Sequence, residues 1–310
     1  MTLYLVTGGA GFIGSHLVEA LVERGERVRV LDDFSTGRRE NLAAVADRIK
    51  VLAGDVADPE TVEQAVAGCD YVLHLAAIPL VQASLDDPWR THRVNVDGTL
   101  NVLEVARRVG VRRIVFASTT ALYGDHTALP LREELPPRPL SPYAASKVAG
   151  EAYCSAFRAS YGLPTVALRL FNVYGPRQDP TNPYSGVISI FAARMTQAQR
   201  PVIYGDGKQT RDFVYVADVV RAMLLACEQG EAIGGVFNVA GGRQTSIFQL
   251  TTELNQVLGT SLTPTFAPAR TGEVRFSQGD ARRAREVLGW EPGISLREGL
   301  SRLVRAEYIR

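Results

Sequence analysis

Short runs of apolar, β-branched residues alternate with longer stretches in which apolar positions recur every three or four residues, the two signatures of strand and amphipathic helix. Leu3 to Thr7 reads as a strand, and Gly14 to Arg24 as a helix with Leu17, Val18, Leu21 and Val22 on one face. The alternation continues with strands at 28–31, 50–53, 72–75, 114–117 and 165–170, separated by helical stretches at 40–44, 59–66, 91–109 and 141–161. Pro59 suits a first helical turn, where its missing N–H costs nothing. Val72-Leu73 and Ile114-Val115-Phe116 are apolar without alternation, as in strands covered on both faces. Such an order predicts right-handed parallel βαβ units and an α/β fold, a doubly wound sheet of Rossmann type.

After Asn172 the rhythm changes. Residues 176–186, rich in Pro, Asn and Gly, predict an irregular loop. Short strands at 202–204 and 236–238 and helices near 246–258, 280–288 and 295–307 then predict a smaller α/β C-terminal lobe over the sheet's carboxyl edge. The division expected is a dinucleotide-binding domain over 1–172 and a mainly substrate-binding lobe over 173–310. No low-complexity linker separates them, so the two should be interleaved.

Composition adds mostly exclusions. The 310 residues are 46% hydrophobic and 22% charged with a net charge of +1, which gives no electrostatic case for nucleic acid or an anionic membrane. Cys69, Cys154 and Cys227 are scattered, as are His16, His74, His92 and His126. No metal-ligand spacing appears, and free buried thiols in a reducing compartment are the simplest reading. The first residues read as a strand and not as a signal peptide, and no apolar run approaches the roughly 20 residues of a membrane span. A cytoplasmic protein is expected.

Thr7-Gly8-Gly9-Ala10-Gly11-Phe12-Ile13-Gly14 lies between the first strand and the first helix. Gly8, Gly11 and Gly14 form GxxGxxG, where small residues permit a tight turn, close approach of backbone to a pyrophosphate, and close helix–strand packing. The helix N-terminus offers its N–H groups to phosphate. Asp32 and Asp33 follow the second strand, where a carboxylate binds the adenosine ribose and disfavours the 2′-phosphate of NADP; Arg38 and Arg39 could instead accommodate that phosphate. Asp55, after the third strand, faces either an adenine amine or a helix cap. Tyr143-Ala144-Ala145-Ser146-Lys147 is YxxxK, with both side chains on one helical face. A lysine ammonium there would lower the tyrosine pKa and suit the phenol to general acid–base work.

These motifs together resemble the extended short-chain dehydrogenase/reductases, and among them the UDP-hexose 4-epimerases. The resemblance runs through TGGAGFIG (7–14), HLAA (74–77), NVDGTLNVLE (95–104), STTALYG (118–124), SPYAASK (141–147), LRLFNVYGPRQ (168–178), RDFVYVADV (211–219) and FNVAGG (237–242). It implies bound NAD, held by Gly8, Gly11, Phe12, Ile13, Gly14, Asp32, Asp33, Ser35, Thr36, Gly37, Asp55, Val56, Leu75, Ala76, Ala77, Asn95, Tyr143 and Lys147. It also implies a homodimer formed through two long helices.

Within STTALYG the resemblance makes Thr119 the hydroxyl that carries a proton with Tyr143, with Ser118 as its neighbouring alternative. Related 4,6-dehydratases carry an Asp-Glu pair just after this threonine, and UDP-glucuronate decarboxylases a Glu; here Thr120 and Ala121 stand there. Oxidation, turning of the sugar and reduction are what remain. For a UDP-sugar the resemblance offers Ser84, Asn172, Val187, Tyr204, Arg211, Arg270, Arg275 and Ser277, with the arginines on phosphate and ribose. Epimerases restricted to plain hexoses resemble one another in a bulky Tyr where Ser277 stands, so a small residue implies action on UDP-GlcNAc/UDP-GalNAc as well as UDP-Glc/UDP-Gal. A UDP-glucuronate 4-epimerase and a net NAD(P)H-dependent keto-sugar reductase are the alternatives.

Overall fold

The computed structural model describes residues 1–181, 186–269 and 274–308. Strands β1 (Leu3–Thr7), β2 (Arg27–Asp32), β3 (Ile49–Ala53), β4 (Tyr71–His74), β5 (Arg113–Thr119) and β6 (Thr165–Leu170) form a parallel sheet in the order β6-β5-β4-β1-β2-β3. Val6 lies opposite Val30 on one side and Leu73 on the other. The strand order reverses between β1 and β4, opening a crevice at the sheet's carboxyl edge, where ligands bind in such folds.

Both faces of the sheet are covered. Helix α1 (Phe12–Glu23) and the helix Val216–Glu228 bury Leu17, Leu21, Val219 and Met223 against Val6, Val30 and Val115. Helix α2 (Pro59–Val66) and the helices Gly98–Val109 and Pro142–Tyr161 bury Val62, Leu103 and Phe157 against Leu5, Val72 and Ile114. Every residue of β5 and β6 is buried, which explains their unbroken apolar runs. Asp58 caps α2 by accepting the N–H groups of Glu60 and Thr61, ahead of Pro59; such a cap is worth about 1 kcal/mol.

Several elements depart from the sequence reading. The stretch 40–44 belongs to a 3₁₀ segment, Arg39–Arg48. The 91–109 helix starts at Pro88 and contains a π turn over Arg93–Asp97. Near 280–288 there is only a helical turn closing in a π segment, Ala284–Leu288. Helices Val81–Asp86, Val187–Thr196 and Val216–Glu228 were not anticipated. The latter two open on β-branched residues and are apolar on most sides, so neither period stands out. Val236–Val239, assigned above to the smaller lobe, is instead the seventh strand of the main sheet, parallel to β6.

The remaining C-terminal residues build three two-stranded sheets, Asn172–Tyr174 with Phe213–Tyr215, Val202–Tyr204 with Thr265–Ala267, and Thr210–Arg211 with Thr245–Ser246. They pack around Phe191, Met195, Ile203, Leu250 and Leu303. Among the described residues no helix is long and apolar enough to cross a membrane, and no three His, Cys, Asp or Glu side chains gather as a metal site. All three cysteines are free and buried.

Candidate active site

A cleft of about 310 Å³ opens at the crevice beside β1 and β4, within the size range of small-molecule sites. Its floor is the turn from β1 into α1. Gly8 adopts φ +68°, and a Cβ there would come within 2.8 Å of the Ala76 nitrogen; a Cβ on Gly14 would lie 2.1 Å from the Gly8 oxygen. Only glycine fits either position. Helix α1 starts at Gly11 with no side-chain cap, so its first-turn N–H groups, which have no intrahelical acceptors, face the cleft as an anion site. The cradle therefore fits a dinucleotide diphosphate.

The two aspartates after β2 divide the work. Asp32 is buried, accepting the N–H of Ala10 at 2.8 Å through one oxygen and that of Phe34 at 2.8 Å through the other. Burial pushes its pKa up despite these bonds. Asp32 thus braces the loop around Gly37, whose Cβ would meet its carboxylate at 2.7 Å. Asp33 is exposed and lines the cleft with Ser35 and Thr36, its Oδ1 accepting both Ser35 donors. Asp32 lines the cleft as well. Arg38 forms an ion pair with Asp179 at 2.6 Å, and Arg39 lies over the Phe34 ring at 4.1 Å, so both arginines that could have served a 2′-phosphate have other partners. Asp55 lines the cleft and does not cap α2, a task that falls to Asp58.

Phe12, Ile13, Val56, Leu75, Ala76 and Ala77 also line this cleft, as do Thr119, Tyr143 and Lys147. Gly37 and Asn95 do not. Asn95, in the π turn, instead accepts the Ile78 N–H at 2.7 Å and donates to Ser146 Oγ at 2.9 Å, fixing the cleft wall from behind. Sequence reasoning missed Ile78, Pro79, Arg90, Phe171 and Val173 as lining residues. Phe171 and Val173 follow β6, and their position at a strand's carboxyl end was the available signal.

Ser141 caps the Pro142–Tyr161 helix by accepting the Ala144 N–H at 3.2 Å, and so aims the first turn and Tyr143 at β5. Burial raises the Tyr143 pKa, and a hydrogen bond from Thr119 opposes the rise. Lys147 is buried; its Nζ donates to the Ala117 carbonyl at 2.9 Å and lies 4.8 Å from the Phe116 ring centre. Loss of water lowers its pKa to about 8. Ser118, which also borders the cleft, has its hydroxyl engaged with Glu151, donating at 2.5 Å.

Of the residues expected to hold a sugar nucleotide, Thr119 and Tyr143 line this cleft, whereas Ser84, Asn172, Val187, Tyr204, Arg211, Arg275 and Ser277 do not. Ser84 is buried, donating to Val81 O at 2.6 Å. Asn172 opens the strand after β6, and Val187 opens a helix. Tyr204, Arg211, Arg275 and Ser277 form a separate group in the smaller lobe. Arg211 donates to the carbonyls of Thr210 and Val274 at 2.8 and 2.9 Å, Arg275 pairs with Asp206 at 2.7 Å, and the Ser277 N–H faces Thr210 Oγ1 at 3.4 Å. Arg270 lies outside the described residues.

A glycine cradle at the switch point of a parallel sheet, with a Thr-Tyr-Lys set at its inner end, defines a dinucleotide-dependent enzyme of short-chain dehydrogenase/reductase type. The chain belongs to the NAD dependent epimerase/dehydratase family, whose model matches residues 4–240. It is 44% identical over 311 residues to the UDP-glucose 4-epimerase of Mycolicibacterium smegmatis, across 99% of this chain and 98% of that protein. Among solved structures it is similar to the UDP-glucose 4-epimerase of Thermotoga maritima with UDP-glucose, at TM-score 0.94 and 42% identity over 98% of both chains. A UDP-N-acetylglucosamine 4-epimerase from Methanobrevibacter ruminantium, in complex with UDP-N-acetylmuramic acid, also reaches TM-score 0.94, at 36% identity over 98% of this chain and 97% of that one.

Proposed function

We propose that this protein is an NAD-dependent 4-epimerase of UDP-hexoses. The observation that carries the reading is the gathering of Thr119, Tyr143 and Lys147 at the inner end of the dinucleotide cradle, followed by Thr120 and Ala121 in place of the acids that elimination or decarboxylation would use. NAD, when bound, would supply the hydride chemistry by which the sugar carbon is oxidised and reduced again. Gly8, Gly11, Gly14 and the α1 N-terminus hold its diphosphate, and Asp33 its adenosine ribose. Tyr143 takes the proton of the sugar 4-hydroxyl, directly or through Thr119, and gives it back after the ring has turned. Lys147 holds the adjoining ribose and keeps positive charge at this end of the cleft. Arg211 and Arg275, with Arg270, anchor the uridine diphosphate so that only the sugar turns.

The 2-N-acetyl sugars belong to the same proposal. Ser277 is small and buried, while the neighbouring Phe276 is 46% exposed and so does not refill the space. A homodimer is part of it too. Trp89 is 82% exposed beside Leu85, and Tyr153 and Tyr161 are uncovered on the neighbouring Pro142–Tyr161 helix, an apolar surface of the kind that marks an interface.

Incubation of the purified protein with UDP-Gal and with UDP-GalNAc, without added cofactor, tests the reading. Conversion of both to the gluco partners is expected. Conversion of UDP-Gal alone would remove the N-acetyl extension, and conversion of neither, even with NAD supplied, would overturn the assignment and bring UDP-glucuronate and the reductase chemistry forward.

A further inference from the structure

Two neighbouring residues of β5 are held by successive turns of one helix, and a third faces the same cleft as that helix. Thr119 lines the cleft with Tyr143, the Ala117 carbonyl accepts from Lys147 at 2.9 Å, and the Ser118 hydroxyl donates to Glu151 at 2.5 Å. Residues 143, 147 and 151 are four apart and share one helical face. The Ser118 contact uses no atom of the reaction. It is nevertheless built at cost: Glu151 is almost wholly enclosed, and its two oxygens are gripped by Arg169 Nε and Nη2 from β6 at 3.0 and 2.8 Å. Arg169 is itself fixed, with Nη1 donating to the Tyr123 hydroxyl at 2.8 Å and the Glu133 carbonyl at 3.1 Å.

Burying such a pair adds little to stability compared with apolar residues of the same volume; what it can add is a single defined geometry. The carboxylate cannot swing, because both its oxygens are taken, and so the Ser118 bond has one length and one direction. Ser118 is the residue before Thr119. We infer that Glu151 is a positioning residue: through Ser118 it locks the carboxyl end of β5 to the helix carrying Tyr143 and Lys147, and so sets where Thr119 stands relative to Tyr143, on which proton transfer depends. The inference rests on the epimerase reading for its kinetic consequence but not for its geometric one.

The groups facing this contact are few. Lys147, Glu151 and Cys154 lie on the same helix, His74 approaches from β4 and is held neutral by burial, and Arg169 reaches from β6 only through Glu151. A change at Ser118 removes one hydroxyl and leaves the ion pair intact, so the fold should survive it. Glu151→Asp draws the carboxylate back by one methylene and stretches the same link by a different route.

The test uses the NAD-loaded protein and two readouts. In Ser118→Ala and in Glu151→Asp, kcat for UDP-galactose should fall roughly tenfold with KM within about twofold of wild type, the pattern of a misplaced reacting group and not of lost binding. Ultraviolet titration of the Tyr143 phenol, isolated by subtracting the Tyr143→Phe protein, should shift to higher pH in both variants as Thr119 is displaced from the phenol. Lower melting temperatures with unchanged kcat and an unchanged titration would show the network to be fold support alone and overturn the inference. If wild type turns over no UDP-hexose, the functional reading fails by itself, and the titration still decides the role of Glu151.

Discussion

Tyr143 is subject to two opposing influences, burial that favours the neutral phenol and the Thr119 hydroxyl that favours the phenolate. Tyr143→Phe removes only the ionisable group. Epimerisation should fall by about 10²–10⁴-fold, the usual worth of a positioned acid–base group, while NAD binding measured by calorimetry stays near wild type; retained high activity would remove the assigned role. His74 gives a residue-scale prediction of a different kind. Enclosed between Thr7 Oγ1 at 2.7 Å and Thr99 Oγ1 at 3.1 Å, it has its pKa lowered from 6.5 to about 3, first by burial and then by Lys147. Above pH 6.5 it is neutral folded or unfolded and exerts no pH effect. As the pH falls below 6.5 the unfolded chain gains a proton that the folded one refuses, so stability is lost down to about pH 3, by about 2 kcal/mol between pH 7 and 5. Asp212, raised to about 7 by burial, acts with the opposite sign over part of this range. The difference in urea-unfolding free energy between wild type and His74→Gln at the two pH values isolates the histidine; equal losses in both proteins would refute its contribution.

At the scale of elements, the turn from β1 into α1 combines two constraints. Gly14 packs its α-carbon against Gly8 so closely that a methyl group would strike backbone and not a flexible side chain. Gly14→Ala should therefore spread the turn, weaken NAD binding by at least tenfold and lower stability by about 1–3 kcal/mol, as measured by calorimetry and thermal unfolding. An unchanged NAD affinity would mean that the cradle tolerates opening. This element was fully legible beforehand, since its glycine spacing and flanking periodicities depend on local geometry. The YxxxK face was legible for the same reason. The π turn at Arg93–Asp97 was not, because an extra residue in a helix leaves no mark on a hydrophobic pattern, although Asn95 within it braces Ile78 and Ser146. The division between Asp32 and Asp33 also escaped the sequence, because it depends on which carboxylate the Ala10 and Phe34 amides reach.

For the whole molecule, the parallel sheet of β1 to β6 followed from the order of strands and helices, whereas the return of the chain to that sheet did not. A four-residue strand such as Val236–Val239 carries no label saying which sheet it will join. The same limit applies to the residues proposed for the substrate, which lie on elements far apart in the chain and were placed only by resemblance. The proposed dimer belongs to this scale. Trp89→Glu puts a charge into the exposed apolar surface of the helices and should convert a dimer into a monomer by light scattering, with the melting temperature lowered; a wild-type monomer at micromolar concentration would refute it.

The late arrival of the seventh strand has a consequence for biosynthesis. β6 is complete at Leu170, but the strand that covers its outer edge begins only at Val236, and the Ala226 and Gln229 carbonyls that receive Arg113 arrive in the same late stretch. At about 5–20 residues per second, a ribosome leaves that apolar edge open for several seconds on a nascent chain whose cofactor cradle is already made. An unpaired strand edge is a template for joining another chain, so NAD binding during translation, by holding β1 and α1 in place, should lower aggregation most in that interval.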